Sequence, residues 1–125
     1  MWIFAQSSGD LFHDEALTGL ALGQPEAGPI PVGCGYSGAG ASKNCPADQA
    51  KHNLGPIPRG FYEIQPPRDT IEHGPFVLAL LANQENRMNG RGGFLIHGDS
   101  LQNPGTASQG CIILGRAIRQ RIWES

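Results

Sequence analysis

Charge is scarce in this chain. Of 125 residues only 16% are charged, nine Lys or Arg against eleven Asp or Glu. The net charge of −2 gives no electrostatic basis for binding nucleic acid or an anionic membrane surface. No block of like charge is present, which excludes a charged tail. No stretch approaches the ~20 apolar residues of a membrane-spanning helix. The opening MWIFAQSSGDLF lacks a basic segment followed by a long apolar run, so it does not read as a secretory signal peptide. A substrate outside the cytoplasm would therefore need another export route.

Cysteine and histidine are also few, three and four respectively. The cysteine count is odd. Cys34 and Cys45 either close a short Gly/Ser-rich loop as a disulfide or stand as two thiols beside it, with Cys111 left over. A bridge would contribute about 2–3 kcal/mol and would form only in an oxidising compartment. CxxC, HExxH and tight His pairs are all missing, so no metal site is expected. Gly33-Cys34-Gly35-Tyr36-Ser37-Gly38 matches GxGxxG literally. No strong apolar strand precedes it and no helix can open after it, so it does not read as a dinucleotide fingerprint.

What is abundant is glycine, 18 residues, with 10 prolines. Such a composition implies many turns and short elements in one small domain over residues 1–125, mainly β with one or two short helices. Trp2, Phe4 and Leu11-Phe12 flank QSSGD, a hairpin pattern. Residues 23–35 form a Pro/Gly loop, and GYSGAGASKNCPADQAKHN reads as irregular. Phe61–Ile64 and GGFLIHG read as strands. GPFVLALLA reads as a buried strand or a short helix; its low β-branched content leaves the two open, with the Gly-Pro before it and the Asn-rich break after it favouring a strand. In CIILGRAIRQRIW, Leu114, Ala117, Ile118 and Ile122 follow helical spacing, with Arg116, Arg119 and Arg121 largely off that stripe. His13, His52 and His73 lie in polar or turn-like sequence and read as solvated surface residues.

His97 and Cys111 differ. Each ends or begins an apolar strand-like run beside a glycine, Gly98 or Gly110. A lone cysteine in GCIIL is ordinarily a small buried apolar residue. Here Gly110 removes bulk beside the thiol, so a substrate carbonyl can approach. A chain entering a helix near Ile113 would leave N–H groups unpaired around Cys111. A thiol needs a neighbouring base to react at neutral pH, and GDSLQNPGTASQG can loop back to deliver one from His97.

IHGDS…PGTASQGCI resembles the active-site signature of the L,D-transpeptidase (YkuD-like) superfamily, a His-Gly followed by Ser-x-Gly-Cys. GYSGAGASKN, GPIPRGFYEI, HGPFVLAL and GFLIHGDSLQNPGTASQGCIIL resemble the small peptidoglycan-targeting toxins of type VI secretion systems. The resemblance implies a β-sandwich or barrel, here stopping at Ser125, short of the last strand. It implies cleavage or exchange of the terminal D-alanine after meso-diaminopimelate, through a cysteine thioester and without cofactor or metal. By position, Cys111 is the nucleophile, His97 the base, and the Gly110 and Cys111 N–H groups oxyanion donors. Ser108 shapes the loop, and Gly98 and Gln109 flank the pair as supporting positions. Asp99 orients His97, binds a substrate ammonium, or simply forms a turn. Tyr36 and Ser37, in the matching GYSG, are candidate substrate contacts. Gln109 stands where transpeptidases usually carry histidine, Ile113 where they carry arginine or asparagine, and GQPEAGPIPVG resembles an insertion.

The implied partners are peptidoglycan stem peptides, a cognate immunity protein and a type VI delivery component, with no nucleic acid and no membrane span. The implied place of action is the periplasm of a target cell. The rivals are a housekeeping or phage wall transpeptidase and a non-catalytic wall-binding domain.

Overall fold

The computed structural model describes residues 1–13 and 30–125. The first strands, β1 (Trp2–Phe4) and β2 (Asp10–His13), form the expected hairpin, with Phe4 opposite Leu11. Strand β3 (Gly33–Cys34) joins β2 to complete a three-stranded sheet. The Pro/Gly loop and insertion read at 23–35 lie outside the described residues as far as residue 29; only their end is seen, and it feeds β3.

The chain crosses at Gly35 into a six-stranded sheet. A Cβ on Gly35 would stand 1.8 Å from the Ile113 carbonyl oxygen, so only glycine allows the two backbones to touch there. Strand β4 (Tyr36–Ser37) is followed by two single 3-10 turns, Gly40–Ser42 and Pro46–Asp48. Then come β5 (Tyr62–Ile64), β6 (Arg68–Thr70), β7 (Gly74–Ala82), β8 (Leu95–His97) and β9 (Ile112–Ile113). The order is β4-β9-β8-β7-β5, with β6 also on β7. The pairing is antiparallel except between β8 and β9, which run parallel. Strand β6 was not legible: RDT follows two prolines and carries no apolar alternation. Both sheets are open among the described residues, so the fold is β-rich without barrel closure.

GPFVLALLA is a strand because β7 is covered on both faces. Val77 and Leu78, consecutive and thus on opposite faces, are both 0% exposed. Leu78 joins Leu11, Ile57, Phe94, Ile96, Ile112, Leu114 and Ile122 in the core. The helix α1 (Arg116–Glu124) packs on β7 and β8. Ile122 is buried on its inner face as the spacing predicts, but Arg119 is buried too, contrary to its reading as off-stripe. Trp2 Nε1 donates to Ser125 Oγ at 2.9 Å, tying the hairpin to the end of α1.

The Cys34–Cys45 bridge is not formed; all three cysteines are free thiols. Cys34 is exposed on β3 with its sulfur toward the Ser8 carbonyl. Cys45 leads into the second 3-10 turn beside the Asp48 carboxylate.

Candidate active site

Parallel pairing sets Ile96 against Ile112 and His97 against Ile113. One residue earlier, the Leu95 N–H points at Cys111 Sγ, 3.3 Å away. Because strand side chains alternate, Ile96 and Ile112 enter the core while Leu95, His97 and Cys111 fall on the opposite face. His97 at the end of β8 and Cys111 just before β9 thus occupy diagonal positions. Both line one cleft of about 1380 Å³, with His73, Arg91, Asp99 and Arg119 among its other walls.

His97 is 3% exposed. Its Nδ1 lies 2.8 Å from the Gly98 carbonyl oxygen. A carbonyl only accepts, so Nδ1 carries the proton and Nε2 presents a lone pair. Burial pushes the imidazole pKa down; the Gly98 bond opposes this, and nearby His73 and Arg119 reinforce it. The His73 ring stacks on it, centroids 4.4 Å apart and planes tilted by 32°. Burial pushes the Cys111 thiol up, with the Leu95 N–H and the Arg91 guanidinium pulling back. Both shifts favour the neutral forms, a thiol and a free base along one cleft, and no hydrogen bond joins Sγ to the ring among the described residues.

The Gly110 N–H, expected at the oxyanion, is directed elsewhere: it donates to Ser108 Oγ at 3.0 Å. Ser108 Oγ also accepts the Gly38 N–H at 2.9 Å and donates to the Cys111 carbonyl at 2.6 Å. The Cys111 N–H has no acceptor among the described residues, so it is the remaining donor at that point. Nor does a helix begin here. Cys111 precedes β9, and α1 starts only at Arg116 after Gly115.

Tyr36 and Ser37, read as candidate substrate contacts, are not among the cleft-lining residues and bond within the fold instead. Ser37 is fully buried; its hydroxyl donates to the Gly110 carbonyl at 2.7 Å and accepts the Ile57 N–H at 2.8 Å. It does not reach the cleft. The Tyr36 hydroxyl donates to Asp99 Oδ1 at 2.6 Å and accepts the Ala107 N–H at 2.9 Å. Burial, then the Asp99 contact, push its pKa up to about 12. Asp99 also accepts the Ser100 and Gly105 N–H groups. It clamps the 99–106 loop and makes no hydrogen bond to His97. Gln109 lines the cleft, and its carbonyl accepts from Arg91 Nη2 at 3.1 Å.

Three cleft residues were missed. Arg91 is buried with its guanidinium spread over the carbonyls of Gln49, Gly55, Pro56 and Gln109. Arg119 caps the Pro75 and Phe76 carbonyls. His73, read as solvated, covers His97. One signal was present: His73-Gly74 repeats the His-Gly step of His97-Gly98. Among the described residues, no three His, Cys, Asp or Glu side chains converge as a metal site.

The sequence model of the Tlde1 domain matches residues 31–125, which include His97, Cys111 and every strand from β3 onward. The chain belongs to the Tlde1 domain family. By its name this is a family of type VI secretion L,D-transpeptidase effectors. In this Tlde1 domain the β1–β2 hairpin precedes the matched span. No curated protein and no solved structure matches the chain.

Proposed function

We propose that this domain is a cysteine acyl-transfer enzyme of the L,D-transpeptidase type. It removes or exchanges the terminal D-alanine of peptidoglycan tetrapeptide stems. The observation that carries the reading is the placement of Cys111 and His97 on one strand face in one cleft, with Nδ1 bound to Gly98 so that Nε2 is left as a base.

His97 Nε2 takes the thiol proton as sulfur attacks the diaminopimelate carbonyl. The oxyanion of the tetrahedral intermediate is met by the Cys111 N–H; such a donor contributes about 3 kcal/mol in comparable sites. The C–N bond breaks, His97 returns its proton to the departing D-alanine amine, and a thioester remains. Water, deprotonated by His97, releases a tripeptide stem; the amine of a D-amino acid yields an exchanged stem instead. No helix of the described residues is long and apolar enough to cross a membrane. Membership in an effector family supports delivery by a type VI machine, action in the periplasm of the recipient and neutralisation by an immunity protein.

The test is digestion of purified sacculi with the wild type and with Cys111→Ala, followed by mass spectrometry of muropeptides. Loss of tetrapeptides, or their conversion to exchanged stems, with the intact thiol alone is expected. Unchanged profiles from both proteins would instead indicate a wall-binding module. New cross-links would indicate a wall-building transpeptidase.

A further inference from the structure

Arg119 carries a positive charge that no carboxylate among the described residues neutralises. It is 5% exposed. Nη1 donates to the Pro75 and Phe76 carbonyls, both at 2.9 Å. Nε is sealed and has no hydrogen-bond partner among the described residues. Nη2 donates to nothing among the described residues and lies under Gly98, 3.0 Å from where a Cβ would stand. No carboxylate pairs with this guanidinium among the described residues.

The carboxylates of the cleft are engaged elsewhere. Asp99 holds its own loop and Tyr36, and Glu72 lies 3.7 Å from His73 Nε2. A second cation, Arg116, lines the same wall, its guanidinium 4.9 Å from the Phe76 ring centroid. Phe76 itself sits at a φ of +56°, an unfavourable region for a bulky residue. It is held there by donating its N–H to Asp69 Oδ1 at 3.1 Å. An unpaired buried cation is costly unless an anion arrives, and orphaned buried donors and strained backbone concentrate at ligand sites.

We propose that Arg119 receives the α-carboxylate of the terminal D-amino acid, making this an exo-acting site. The inference rests on the acyl-transfer reading above. In that reaction the departing amine takes its proton from His97, so it lies within hydrogen-bond reach of the ring. The carboxylate carbon is two bonds further on, about 5–6 Å from the imidazole. Arg119 borders that space: it underlies Gly98, the residue after His97. The same cation holds the carboxylate of an incoming free D-amino acid during exchange. A stem whose terminal carboxyl is already in a cross-link offers an amide and is refused. Tetrapeptides with a free terminal carboxylate are consumed, and those whose terminal carboxyl is tied up in a cross-link are spared.

The experiment compares a tetrapeptide stem ending in a free carboxylate with its C-terminal carboxamide. For the wild type, kcat/KM on the amide is expected to be about 10- to 100-fold lower, the worth of a hydrogen bond to a charged group. In Arg119→Gln the acid-to-amide ratio collapses toward one. Equal rates of the wild type on both substrates overturn the proposal, as does an unchanged ratio in the variant. Should Arg119→Gln fail to fold, calorimetric binding of both stems to Cys111→Ala, with Arg119 intact, decides it. The acid is expected to bind at least about tenfold tighter; equal affinities, or no binding of either, overturn it. Turnover that survives in Cys111→Ala, or no turnover by the wild type, sinks the acyl-transfer reading instead. The binding preference for the carboxylate is measured independently of either result.

Discussion

Ser108 Oγ lies 2.6 Å from the carbonyl oxygen of Cys111 and accepts the N–H of Gly110, one of the two residues between them. One hydroxyl with one donor and two acceptor sites thereby closes the turn that carries the nucleophile, its remaining acceptor site filled by the Gly38 N–H. Ser108 is 1% exposed, so no water replaces it. Ser108→Ala leaves two buried donors and an acceptor unsatisfied. The expected loss is about 2–4 kcal/mol of stability, read as a lower urea midpoint at unchanged slope, with a fall in kcat. A midpoint equal to the wild type would mean that the turn holds without the hydroxyl.

Gly110 has a φ of +144°, and a Cβ there would stand 2.5 Å from Arg91 Nη2 and 2.7 Å from Phe94 Cε1. Arg91 cannot swing aside cheaply, because four carbonyls fix its guanidinium. Gly110→Ala is therefore expected to cost about 2–4 kcal/mol and to lower activity by displacing Cys111. A thermal melt within a degree of the wild type would contradict the packing argument.

These two residues also mark where the sequence was legible and where it was not. The hairpin, β8 and the inner face of α1 follow from local pattern and spacing, which depend on neighbours a few positions away. Strand β7, buried on both faces, shows no alternation, and only the breaks at its ends favour a strand. That His97 and Cys111 share one cleft was legible because both sit at strand ends beside glycine. The direction of the Gly110 N–H was not, because it depends on a hydroxyl two residues earlier turning inward. The burial of Arg91 and Arg119 was hidden for a related reason. Each is stabilised by backbone carbonyls converging from distant segments, and carbonyls leave no trace in residue identity. His73 was hidden because β6, which brings it over His97, carries no apolar pattern.

The thiol and imidazole titrations give a direct check on the neutral pair. With the Cys111 thiol raised above its ordinary value of 9.0 by burial, alkylation by iodoacetamide is expected to be slow at neutral pH and to keep rising past pH ~9 without levelling off there. With His97 lowered below 6.5, the base stays free at pH 6.5, and kcat/KM falls only at lower pH. The same shift affects folding. The unfolded chain takes up this proton through pH 6.5 while the native state resists, so the contribution to stability is complete above 6.5 and declines as pH falls toward the lower native value. Rapid alkylation of Cys111 already at pH 6 would point instead to a standing thiolate–imidazolium pair.

His73→Ala removes the ring stacked 4.4 Å from that of His97. Burial is the main depressant of the His97 pKa and the nearby His73 adds to it, so both influences relax in the variant. The His97 pKa then rises toward 6.5, and the acid limb of kcat/KM moves to higher pH. At pH 6 the variant is expected to lose several-fold more activity, relative to wild type, than at pH 8. A merely structural role for His73 would lower activity equally at both values, so the ratio between them is the measurement that matters. A parallel NMR titration of the His97 ring protons would show the shift directly, and an unmoved midpoint would assign the stack to packing alone.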